Sequence, residues 1–179
     1  MRISALFLAL FIVGGCTTAQ INSMNDGLYD VNHIKVSEFD GSLIRFTDEI
    51  PIGPSGVLLN AYWDSKSPDT VIFGFKLLDR IVNISSVDIN VDGSFYRMSE
   101  KQSDFTKRQF EDYSGKMSSS QGFVIPKSLF EKISASTKVV YKINYLDGTY
   151  YNITCDSTGI SCIPKFKFEQ FYKLIALTK

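Results

Sequence analysis

The sequence predicts a mainly β domain: an antiparallel, sandwich-like arrangement with one short crossing helix and a C-terminal helix. Three observations carry this. Apolar residues recur with a period of two along most of the chain, as in half-buried strands. Asp-Gly pairs stand between such runs at Asp92-Gly93 and Asp147-Gly148, where a tight hairpin turn favours residues that tolerate positive φ. Helical spacing appears in only two places. Strands that outnumber helices and join through hairpins argue against a parallel, doubly wound sheet.

The elements follow in order. Ser42–Thr47 is a short strand candidate, with Asp40-Gly41 before it as a further turn. Val57–Trp63 follows a loop marked by Pro51, Gly53, Pro54 and Gly56. Thr70–Leu78 is almost continuously apolar, as a central strand would be. Val87, Ile89 and Val91 alternate with Asp88, Asn90 and Asp92, and Phe95–Met98 resumes after the turn. Val139–Tyr145 and Thr149–Thr154 flank the second Asp-Gly pair, which reads as the same type I′ device. Pro126 fits the first position of a helix carrying Leu129, Phe130 and Ile133. A second helix reads from Phe168 to Leu177, with Phe171, Tyr172 and Ile175 on one face. Residues 99–121 are charged and Ser-rich and read as a long hairpin or an excursion loop.

The chain has 179 residues, enough for one domain, and its 14 Phe and 9 Tyr supply an aromatic core. Basic and acidic residues balance at 19 each. Such a chain has no global positive field, which argues against non-specific nucleic-acid binding.

The N-terminus reads as an address. Met1-Arg2 is followed by an apolar run, Ile3 to Val13, about eleven residues long. A membrane-spanning helix needs about 20. Val13-Gly14-Gly15-Cys16 then supplies an aliphatic residue, two small residues and a cysteine. This stretch resembles the signal peptide and lipobox of bacterial lipoproteins. The resemblance covers residues 1–16 and implies cleavage before Cys16, which would carry the lipid. Removing residues 1–15 takes away Arg2 alone and leaves 18 basic against 19 acidic residues, a net charge of −1. The organisation expected is a signal peptide over 1–15, a lipidated Cys16 with a flexible tether over 16–27, and one β-rich periplasmic domain over 28–179. Thr17, where enterobacterial lipoproteins retained at the inner membrane carry Asp, implies delivery to the outer membrane, facing the periplasm.

Cys155 and Cys162 are then left as a pair in an exported chain, and the polar, Gly159-containing segment between them suits a disulfide-closed loop. A redox or metal role is the alternative reading, although no CxxC and no nearby histidine support it.

Candidate chemistry is sparse. Asp88, Asn90 and Asp92, with Gly93, match the first half of a calcium loop. The match stops there, because position 12 falls on Ser99 rather than on a glutamate. The plainer reading is the polar face of a strand ending in a turn. His33 is the only histidine and no G-x-S-x-G occurs, so no triad and no zinc site is expected. Asp48 and Glu49 are neighbours and are expected to point apart. The sequons at Asn83 and Asn152 read as chance. Phe105, Phe110, Tyr113, Phe168 and Tyr172 form a candidate partner surface; the last two lie in the cationic and aromatic stretch Lys165–Lys173, for which a terminal helix packed on the sheet is the favoured reading and contact with anionic headgroups or a partner the alternative. No catalytic residue and no cofactor is assigned. The expected role is a lipid-anchored accessory protein of the cell envelope that binds a partner protein or has a structural role. The alternatives are an envelope hydrolase using carboxylates, and a phage- or island-encoded surface lipoprotein that blocks another molecule.

Overall fold

A computed structural model describes residues 33–52, 55–99, 106–111, 116–156 and 162–178. The expected signal peptide, Cys16 and the expected tether lie outside these residues. Among the described residues eleven strands form two antiparallel sheets. The larger contains β1 (His33–Val36), β2 (Leu43–Phe46), β3 (Ile50–Pro51), β4 (Val57–Asp64), β5 (Thr70–Leu78), β8 (Thr106–Glu111) and β9 (Lys116–Pro126), in the order β1-β2-β4-β5-β9-β8, with β3 pairing β4. The smaller contains β6 (Ile84–Val91), β7 (Ser94–Ser99), β10 (Lys138–Tyr145) and β11 (Tyr150–Asp156), in the order β11-β10-β6-β7. Helix α1 (Lys127–Ala135) carries the chain from one sheet to the other, and α2 (Ile163–Leu177) closes the fold.

Strand alternation decides which side chains meet between the sheets. Val57, Leu59, Ala61 and Trp63 of β4 are buried, as are Val71, Phe73, Phe75 and Leu77 of β5. Val87, Ile89 and Val91 face them from β6, and Val139, Tyr141 and Ile143 from β10. The junction of all four layers is Phe73. Its ring lies 6.2 Å from Tyr141 of the opposite sheet, 5.9 Å from Phe130 of α1 and 5.3 Å from Phe168 of α2. The last two are edge-on, the arrangement ring quadrupoles favour. Lys127 Nζ donates to the Ile175 carbonyl (2.9 Å), so a cation meets the negative end of α2.

The fold class and most elements stand as expected, with three differences. Asp92 and Gly93 both have positive φ (47° and 93°), as a type I′ turn requires. At the β10–β11 turn only Gly148 does (84°). There Tyr145 N donates to Thr149 O and Gly148 N to Tyr145 O, so the loop is longer than two residues and is not type I′. Pro126 ends β9 and occupies the N-cap of α1, one place before the position expected. Helix α2 begins at Ile163 rather than Phe168, because Pro164 in its first turn is preset to helical φ. Of the two readings of residues 99–121 the hairpin holds: β8 pairs β9, and β9 runs on to Pro126.

Strand β9 escaped the pattern because its buried positions include Ser119 and Gln121. Ser119 has a structural task there. Its hydroxyl accepts from Val82 N (2.9 Å) and donates to Arg80 O (3.0 Å), which satisfies backbone groups of the connection crossing between the sheets. Ser119→Ala leaves both groups without that partner. The expected loss is about 1–3 kcal/mol, read as a lower urea midpoint with unchanged denaturant slope.

Candidate binding surface

The outer face of the smaller sheet gathers the polar side chains of β6, β7, β10 and β11. Register places Arg97, Asp88, Lys142 and Asn152 in one row across the four strands, with Phe95, Asn90, Val140 and Thr154 in the next. Arg97 Nε lies 3.4 Å from Asp88 Oδ1. Asn144 Nδ2 donates to Asp88 Oδ2 (3.0 Å) and to Ser86 Oγ (3.1 Å), and Arg97 Nη2 donates to Ser86 Oγ (3.3 Å). The Lys142 ammonium sits 4.3 Å from the centre of the Tyr150 ring. A shallow concavity of about 550 Å³ lies over this face. Phe95 stands at its β7 side, 78% exposed.

The calcium-loop residues are brought close in sequence but not to one centre. Asp88 is held by Arg97 and Asn144. Asn90 Oδ1 accepts from Gly93 N (2.8 Å) inside the turn. Asp92 turns away to α1–β10, where it accepts from Thr137 Oγ1 (2.7 Å), Thr137 N and Lys138 N (2.8 Å). Each side chain has a structural partner, which fits the polar strand face and its turn rather than a calcium loop. Among the described residues no cluster of three or more metal-capable side chains occurs.

These bonds, first that from the Thr137 hydroxyl and then those from Lys138 N and Thr137 N, hold the Asp92 carboxyl below its usual 3.8. A depressed folded value means stability that is present above the unfolded value and is lost as pH falls through the folded one. Asp92→Asn keeps a residue that tolerates positive φ and removes the charge. The variant is expected to be less stable than wild type at pH 7, with the gap closing below about pH 4 in urea titrations.

The acidic pair does diverge. Asp48 Oδ1 lies 2.9 Å from His33 Nε2, while Glu49 Oε2 lies 3.0 Å from Lys76 Nζ. His33 stacks on Phe46, with ring centres 5.0 Å apart. Cys155 and Cys162 form a disulfide with Cα atoms 4.9 Å apart, tying β11 to the residue that caps α2.

The aromatic partner surface needs correction. Phe168 is 1% exposed and belongs to the core, because α2 turns it toward Phe73 and Phe130. Tyr172 is half-buried against the core, and burial, then the Glu131 carboxylate, push its phenol pKa up. Phe110 lies on β8 opposite Met117, and Phe105 and Tyr113 lie outside the described residues. The exposed aromatic residues of the smaller sheet are instead Phe95 and Tyr150. A signal for Phe95 was in the sequence: a two-residue turn at Asp92-Gly93 pairs Phe95 with Asn90, so both share the polar face.

No family model matches the chain, and no curated protein or solved structure is significantly similar to it.

Proposed function

We propose that the chain is a lipid-anchored accessory protein of the bacterial cell envelope whose β domain binds a partner and catalyses no reaction. The observation that carries the anchor is Val13-Gly14-Gly15-Cys16 behind the apolar run Ile3–Val13. A Cys155–Cys162 disulfide is in keeping with an oxidising compartment. The engagement of Asp48 with His33, Glu49 with Lys76 and Asp88 with Arg97 favours binding over carboxylate chemistry, since each acid already has a basic partner. Thr17 directs the anchored protein to the outer membrane, facing the periplasm. Lipid on Cys16, with a second acyl group, supplies the two hydrophobic signals that stable anchoring takes.

The test is metabolic labelling with a tagged fatty acid. Wild-type protein is expected to take up label and fractionate with membranes, and Cys16→Ser to do neither. An unlabelled, soluble wild-type protein would overturn the proposal.

A further inference from the structure

The outer face of the smaller sheet offers no backbone to a ligand. Strand β6 is paired on both sides, by β7 and β10, and β10 is paired by β6 and β11. A peptide that adds a strand needs a free edge, not such a face. Recognition here falls to side chains alone.

Part of this polar array is held in place before any ligand arrives. Asp88 and Arg97 fix one another, and Asn144 and Ser86 fix both. Asn90 spends its carbonyl on Gly93 N, which leaves its amide donors. Neighbouring strands stand about 4.8 Å apart, so donors and acceptors of one row recur at a spacing comparable with the width of a sugar ring.

Beside this array the Phe95 ring is 78% exposed and Tyr150, on the opposite edge strand, is 56% exposed. A pyranose presents an apolar face of C–H groups and a rim of hydroxyls. It can therefore lay its face on an aromatic ring while carboxylate, amide and guanidinium groups take its hydroxyls. The concavity is partly open and combines carbon surface from Phe95, Tyr96 and Val140 with the charged groups of Asp88, Arg97 and Lys142. By register the face carries Arg97, Lys138 and Lys142 against Asp88 and Asp156, a near balance that suits a neutral or weakly acidic chain better than a nucleic acid.

We propose that this face is a carbohydrate-binding surface that takes a segment of a polysaccharide across β7, β6, β10 and β11. Phe95 is its stacking ring, and Asp88, Arg97, Lys142 and Asn152 bind hydroxyls. This deepens the proposed binding role by naming the ligand class, and it holds whether or not Cys16 is lipidated.

The experiment applies the full chain, purified in detergent, to an array of β-1,4-linked glucose, N-acetylglucosamine and mannose oligomers and polygalacturonate. At least one probe is expected to be retained. Phe95→Ala and Asn152→Ala are each expected to weaken that retention about tenfold, the equivalent of 1.4 kcal/mol. Asn60→Ala, on the outer face of the other sheet, is expected to leave it unchanged. Matching melting temperatures exclude misfolding as the cause. Retention of no probe, or retention indifferent to Phe95→Ala and Asn152→Ala, would overturn the proposal. So would capture of an envelope protein that Phe95→Ala abolishes while sugars are ignored. Fatty-acid labelling reads the anchor alone, so either inference can fail without the other.

Discussion

Phe73→Ala is expected to lower stability by about 3–5 kcal/mol, the usual cost of emptying a buried aromatic site. Phe73 is fully buried and its ring touches Phe75, Tyr141, Phe130 and Phe168, so one truncation opens a void shared by both sheets and both helices. The loss is a large fraction of the 5–15 kcal/mol that typically holds a domain. Urea unfolding of the wild type and variant measures it as a drop in midpoint. Phe73→Leu keeps most of the volume and is expected to lose less. A Phe73→Ala variant within 1 kcal/mol of wild type would show that the rings do not form one core.

Removing the bridge with Cys155→Ser and Cys162→Ser together is expected to cost about 2–3 kcal/mol. The sequence separation is only seven, and a short closed loop removes little entropy from the unfolded chain. The bridge also fixes where α2 starts. It joins buried Cys155 of β11 to the N-cap of the helix that delivers Phe168 and Phe171 to the core. The variant is therefore expected to fold, melt lower and be cut earlier by protease between residues 156 and 165. Unchanged melting would mean that packing against α1 and the larger sheet places the helix without the bridge.

Much of the fold was legible because the chain repeats simple devices. Alternation located β4, β6 and β10, since each buries every other residue along most of its length, while β5 showed as a nearly continuous apolar run. Asp92-Gly93 announced its hairpin because few residue pairs accept positive φ twice. Asp147-Gly148 shows the limit of that signal. The same dipeptide sits in a longer loop, since local chemistry permits a turn type without imposing it. β9 was illegible for a different reason. Ser119 and Gln121 are buried through tertiary hydrogen bonds or packing that no periodicity displays. Phe168 stood in two readings because a basic and aromatic helix looks alike whether its rings meet a partner or its own sheet, and the packed one holds. Pairing across the turn put Phe95 on the polar face, yet the array around it emerges only once β10 and β11 are set beside β6.

Anchoring at Cys16 is tested most directly by the intact mass of the protein extracted from cell membranes. The expected species begins at Cys16, carries the mass of a diacylglycerol thioether and further acyl chain, and lacks both thiol hydrogens of Cys155 and Cys162. A chain that retains residues 1–15, or begins elsewhere without added lipid, would contradict it.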